Sequence, residues 1–310
     1  MNWIKKGLVL SERHALQFGL LNPQVPYAYK MTDRIRIFFG ARAKDGGPAA
    51  IYYIDVDSMQ PNNILALNHQ PLLSCGSLGM FDQDGVLPVC VKKVGKEIYM
   101  YYGGFSKQSK YPHTCMMGLA ISRDEGESFT KISNNPVLPI SDIDPYLIGS
   151  ADIIFYNGLY HMIYTSGTKW LNVNSSLEVS YTLKYAFSTN GIAWQPTGEI
   201  VIPQQTELDA FSKPSIFKIN DLFVMYFSKR HVTNYREKGD SAYSFGVATS
   251  ADLKSWERDD DMRGIDTSPE GWDSEMICYP NIVKANGQYI MFYNGNGFGK
   301  SGFGYAALKM

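Results

Sequence analysis

Long apolar runs are missing from this 310-residue chain. The opening MNWIKKGLVLS carries two lysines and only a few apolar residues before SERH, far short of a secretory core or a membrane span. That predicts a cytoplasmic protein. Neither sign of charge is in excess: 29 basic residues face 30 acidic ones, the net charge is -1, and no long run of either sign occurs. This excludes an electrostatic footprint for nucleic acid or an anionic membrane, and a small polar partner fits better. Cysteine is scarce. Cys75, Cys90, Cys115 and Cys278 show no CxxC or Cys/His spacing, and three stand in apolar surroundings, so reduced thiols and no structural zinc are expected. There is no GxGxxG after a strand, no Walker loop and no GxSxG elbow, which removes dinucleotide, P-loop and α/β-hydrolase chemistry. No EF-hand-like loop appears either, and the acidic run ERDDDM (257–262) reads as solvated charge, so neither metal nor cofactor is implied.

What the chain does have is a repeat. Five apolar, aromatic-rich segments can be stacked on one another: RIRIFFGAR (34–42), EIYMYYGGF (97–105), LYHMIYTSG (159–167), LFVMYFSKR (222–230) and QYIMFYNGN (288–296). Ahead of each lies a shorter strand opening near Pro26, Pro88, Asp152, Pro214 and Pro280, a period of about 62 to 66 residues. A third strand follows each pair, and in three units a turn then leads to Phe129, Trp194 or Trp256 at the start of a fourth. The fifth unit stops at Met310 without its fourth strand, yet NWIKKGLVLS copies the pattern around Trp194. The expectation is an all-β, five-bladed β-propeller spanning residues 1–310 as one domain. Its blades are four-stranded and antiparallel, and the N-terminal strand closes the ring. Two stacked β-sandwiches would not explain a fixed repeat with a missing last strand.

In such a ring the innermost strands line the axis, and their starting ends share one face with the finishing ends of the second strands. Glu275 and Asp209 fall five residues before the repeat's proline, Asp84 falls four before it, and Asp152 occupies its place, so four blades each offer a carboxylate to one mouth. Glu207 lies on the same side of the alternation as Asp209. Arg42, Lys169, Lys229, Arg230 and His231 can add positive charge there, with Asn294 and Asn296 as neutral hydrogen-bonders. Tyr146, Phe211, Trp272 and Tyr279 supply flat faces for a sugar ring. Each has a plainer reading: Asp84 as an Asx-turn before Gly85, Glu275 as a rim charge, Glu207 and Asp209 as parts of a solvated loop, Lys229 and Arg230 as salt-bridge partners. Asp152 is the hardest to explain away, because a carboxylate on an apolar inner strand must be paired, solvated in a cavity, or costly.

At FDQDGVLPVCVKKVGKEIYMYYGGF, AISRDEGESFTKI, SADIIFYNGLYHMIYTSG and WDSEMICYPNIVKANGQYIMFYNGNGFG the sequence resembles the five-bladed propeller glycosidases, glycoside hydrolase families 32, 43, 68 and 130 among them, together with glycosidase-like proteins encoded with bacterial surface-polysaccharide genes. The resemblance implies three carboxylates at the axial funnel: Asp84 as base or nucleophile, Asp152 as the middle carboxylate, and Glu275 or Glu207/Asp209 as acid. The other residues named above would bind substrate. It implies a glycosyl hydrolase or transferase acting on a carbohydrate or activated sugar, using one protonated and one ionised carboxyl. A phosphorylase or sugar-nucleotide enzyme, with Lys229, Arg230 and His231 facing phosphate, and a non-catalytic glycan-binding propeller are the alternatives.

Overall fold

A computed structural model describes residues 1–309. It contains five four-stranded antiparallel sheets, four of them meanders of successive strands. Blade I is Leu20–Lys30, Arg34–Ala43, Ala50–Asp57 and Ile64–Leu67. Blade II is Gly85–Val94, Glu97–Lys107, His113–Ser122 and Thr130–Lys131. Blade III is Leu147–Tyr156, Leu159–Val173, Ser176–Ser188 and Gln195–Ile200. Blade IV is Asp209–Ile219, Leu222–His231, Ser244–Ser250 and Glu257–Arg258. Blade V takes Cys278–Ala285, Gln288–Asn294 and Phe303–Leu308 from the end of the chain and its fourth strand, Trp3–Leu10, from the beginning. The propeller, its five blades and the closure by the N-terminal strand are as expected from the repeat.

Local chemistry accounts for the hairpins. Asn157-Gly158 and Asn286-Gly287 both adopt positive φ at both positions, the geometry whose twist matches that of the flanking strands. The alternating apolar residues then pack blade against blade, and the four cysteines are free, three of them buried among those residues.

One expectation needs adjustment. The repeat's prolines do not open the inner strands but sit inside them, at β-bulges. The register skips at Pro26, Pro214 and Pro280, at Val89 next to Pro88 in blade II, and at Gly149 and Ser150 in blade III, just ahead of Ala151 in the proline's place. Proline has no N–H for the ladder and a bulge needs none, which is why it survives in the middle of a sheet. The pairing also shows that Asp152 stands one residue past the proline position. It pairs with Ile163 as Tyr27 pairs with Phe38, Cys90 with Tyr101, Ser215 with Tyr226 and Asn281 with Phe292. These five residues form one tier around the axis.

That tier exposes two kinds of seam between blades. From III to IV, IV to V and V to I, a side chain accepts an amide hydrogen from the next inner strand: Asp152 from Ile216 (2.7 Å), Ser215 from Ile282 (2.9 Å), Asn281 from Ala28 (2.7 Å). A second tier repeats the device at the bulge, where Thr165 accepts from Lys213, Ser228 from Tyr279 and Asn294 from Val25. Lys213, Tyr279 and Val25 all have left-handed φ, between 50 and 58°, which turns each N–H out of its own ladder toward the neighbouring blade. The seams from I to II and from II to III instead carry Gly40 and Gly103 at the Thr165 position, and they are filled by an apolar cluster including Tyr27, Val89, Tyr101 and Ile148.

Candidate functional site

The inner strands leave an axial cavity of about 240 Å³ between their bulges and their starting ends. Its floor is the bulge tier, including Val25, Val89 and Ser150, and its walls include Phe105, His113, Tyr181, Tyr243 and Tyr279. The polar groups facing it, among them Gln24, Ser150, Thr165, Ser212 and the tyrosines, are neutral, and no acidic residue among those described lines it. Burial pushes the Tyr181 hydroxyl up to about 12, against the pull of Arg230, and raises that of Tyr279. Both therefore keep their protons and remain donors at neutral pH. Burial also lowers His113, which lies against Phe105 and Trp170, so its imidazole is neutral.

Beneath the floor is a charged cluster in which Asp152, Lys213 and Cys90 are buried and Lys92 keeps part of its side chain in solvent. Asp152 lies 2.9 Å from Lys92 and accepts from Tyr27, from its neighbour Ile153 and from Ile216. Burial alone would raise its pKa, but Lys92, the Ile216 amide and Lys213 together hold it below the ordinary carboxylate value. Lys213 is fully buried, with its ammonium 5.0 Å from the centre of the Tyr27 ring and no hydrogen-bond acceptor among the described residues. Burial pushes it down to about 8, although Asp152 opposes the shift. Cys90, beside Tyr27 and Asp152, is pushed up to about 12 by burial and is no nucleophile at neutral pH.

The residues singled out from sequence disperse around this centre. Asp152 is a seam residue of the tier that also contains Ser215 and Asn281, separated from the cavity by the bulge. Asp84 stands on the face where the cavity opens, just before the blade II inner strand. Its carboxylate accepts the Lys107 amide at 2.8 Å and a Gln83 amide hydrogen, which lower its pKa, while its own N–H donates to the carbonyl of Phe105 in the cavity wall. Glu275 is exposed on the same face, in a neighbouring polar cleft that also contains Lys229 and Arg263 and shares Tyr243 with the cavity. Asp209 caps its own loop by accepting from Gln205 and Thr206, and Glu207 projects into solvent, 3.8 Å from Lys169. Arg42 is exposed near the end of its strand. Lys229 is tied to Asp260 at 2.7 Å, and His231 contacts Ser241. Trp272 packs at a tilt against Tyr293, and Asn294 is a buried seam residue that also donates to the carbonyls of Pro23 and Gly302. Of the set, Tyr279 alone lines the axial cavity, and Arg230 stands directly behind its wall.

Sequence reasoning passed over three buried acids that precede inner strands. Asp82 binds Lys131, Asp144 binds Lys184, Tyr164 and Ser166, and Asp273 binds Lys5 and Tyr293. The signal was present, because each follows a large apolar residue (Phe81, Ile143, Trp272) ahead of an inner strand. Two of the chosen carboxylates, Asp84 and Glu275, stand two residues beyond members of this set. The tyrosine cage was passed over as well. Arg230 is buried with its guanidinium 3.8 Å from the ring centre of Tyr235 and 5.0 Å from that of Tyr181, and its Nε donates to the Tyr243 hydroxyl.

No family model matches the chain. An uncharacterized protein of Mycobacterium tuberculosis, Rv1502 in strain ATCC 25618 / H37Rv and MT1551 in strain CDC 1551 / Oshkosh, is 30% identical over 312 residues, covering 100% of both chains. The chain belongs to their family. A 1,2-beta-oligomannan phosphorylase of Thermoanaerobacter sp. (strain X514) is 26% identical over 168 residues, 53% of this chain and 52% of its own. Among solved structures, one described as a glycoside hydrolase superposes with a TM-score of 0.74 at 16% identity, covering 99% of this chain and 92% of its own. A glycosyl hydrolase from Bacteroides ovatus gives 0.70 at 14% identity over 93% and 84%. A thermostable family-43 glycoside hydrolase gives 0.65 at 15% over 92% and 88%. The fold is that of the five-bladed propeller glycoside hydrolases.

Proposed function

We propose that this family consists of carbohydrate-active enzymes that seat one sugar residue in the axial cavity. The observation that carries this reading is the cavity itself. At about 240 Å³ it has room for a single ring, and it offers tyrosine rings for stacking beside hydroxyl and amide groups for hydrogen bonding. The propeller neighbours that are glycoside hydrolases, and the phosphorylase relative, support the same substrate class.

For the reaction, hydrolysis or glycosyl transfer, the carboxylates to test are Asp84 and Glu275, which reach solvent on the face where the cavity opens. Asp152 is closed off by the bulge and already bound to Lys92, so its part is to hold charge beneath the sugar rather than to exchange a proton with it. A second reading, glycan binding without turnover, is favoured by the lack of any acid in the cavity lining. The experiment is to measure turnover and binding on a panel of aryl glycosides, oligosaccharides and sugar nucleotides, with and without phosphate. Asp84→Asn and Glu275→Gln are expected to lower kcat by 100-fold or more while binding persists. Sugar binding by the wild type with no turnover of any substrate selects the second reading. No sugar binding at all ends both.

A further inference from the structure

The charges around the axial cavity do not balance, and the imbalance is particular to it. Four Lys or Arg residues are buried among the described residues: Arg36, Lys184, Arg230 and Lys213. Two have an acid in direct contact. Arg36 is bonded through two nitrogens to Asp55, and Lys184 meets Asp144 at 3.0 Å. The two without one both flank the cavity. Arg230, 3% exposed, spends its donors on the Tyr243 hydroxyl and the carbonyls of His231 and Val179, with no carboxylate of the described residues within salt-bridge distance. Lys213 lies under the floor next to Ser212 and shares with Lys92 the single charge of Asp152. A buried positive charge without a counter-charge is costly, and an anion bound nearby in a low-dielectric cavity recovers part of that cost.

The wall is also shaped to pass this charge on. Arg230 donates to the Tyr243 oxygen at 3.1 Å, so the tyrosine's own hydrogen must point elsewhere, and Tyr243 lines the cavity. Thr165 is arranged in the same way, since its oxygen accepts from the Lys213 amide while its side chain lines the cavity. Tyr181, on whose ring Arg230 also lies, and Tyr279 complete a wall of hydroxyl donors.

Resting on the carbohydrate reading above, we propose that the sugar in the axial cavity is acidic: its carboxylate or phosphate group is received by the Tyr243 and Tyr181 hydroxyls, with the buried Arg230 behind them and Lys213 below. Asp84 and Glu275 do not line this cavity.

The test is calorimetric titration of the full-length protein with matched pairs: glucuronic and galacturonic acid against glucose and galactose, glucose 1-phosphate against glucose, and inorganic phosphate alone. At least tenfold tighter binding of an acidic member than of its neutral partner is expected. Preference for the uronic acids assigns the anion to a sugar carboxylate. Preference for the sugar phosphate, with competition by inorganic phosphate, assigns it to a phosphoryl group. Tyr243→Phe keeps the packing and removes the relayed donor, and it should narrow the acidic-over-neutral preference about tenfold, whatever it does to the binding of neutral sugars. Arg230→Met should do the same, and if it fails to fold, Tyr243→Phe still decides. Equal binding of acidic and neutral sugars would overturn the inference and leave the carbohydrate reading standing. Binding of no sugar of either kind would bring down that reading and the inference with it.

Discussion

The two kinds of seam solve the same problem with different materials. Where blade III meets IV, IV meets V and V meets I, buried oxygens take up amide hydrogens freed by a bulge. Where I meets II and II meets III, glycines remove the side chain at the bulge tier and an apolar cluster fills the seam. At Gly40 the space a Cβ would need is already held by the Leu87 side chain. The polar seams fix the angle between blades through hydrogen bonds, which are directional. The apolar ones gain from burial, which is not. The lone cations of the axis lie on the polar side, so the part of the ring built from hydrogen bonds is also the part that carries charge toward the cavity.

The sharpest way to break the comparison is at Asp152, the one charged member of its tier. Asp152→Ala strands Lys92 and Lys213 and should cost about 3–5 kcal/mol, read as a shift in the urea midpoint at unchanged slope. Lys213→Met should act in the opposite direction and stabilise the fold by roughly 3 kcal/mol at pH 7. The sign follows from the folded pKa of about 8, below the ordinary 10.5. The penalty is whole below pH 8 and fades as pH rises toward 10.5, where the unfolded chain also loses the proton. The gain of Lys213→Met over wild type should therefore shrink across that window, which thermal melts at pH 7, 9 and 10.5 would show. On the apolar side, Gly40→Ala must push Leu87 aside and should cost about 1–3 kcal/mol by overpacking. Ser228→Ala, which unpairs one seam amide in a polar joint, should cost about 1 kcal/mol. If it costs nothing, the hydrogen-bonded seams are no more specific than the greasy ones.

How much of this could be read from the chain depends on what a repeat can carry. Spacing, turn residues and the displaced last strand revealed the propeller because those features recur at every blade. The site was less legible, since it turns on single-residue offsets that a repeat does not display. The bulge moves Asp152 one position along and places it in a ring of seam residues. Asp82 and Asp84, or Asp273 and Glu275, differ by two places in sequence, and burial falls to the first of each pair because a lysine from elsewhere in its own blade meets it. Tyr181 and His113 come from third strands and Tyr243 from the position just before one, which an inventory of inner-strand acids does not reach. A cation with no acid beside it is also invisible until its neighbours are known.

The strand that closes blade V joins residues some 300 positions apart, Trp3 opposite Leu308. A chain made from its amino end must therefore hold Trp3–Leu10 in waiting while all five inner strands are synthesised, and its final sheet keeps an open edge until that strand returns. Closure of so long a loop is slow and draws little help from local contacts. The last step of assembly should therefore be the latching of the ring, and a chain caught before it would present that bare edge to its neighbours.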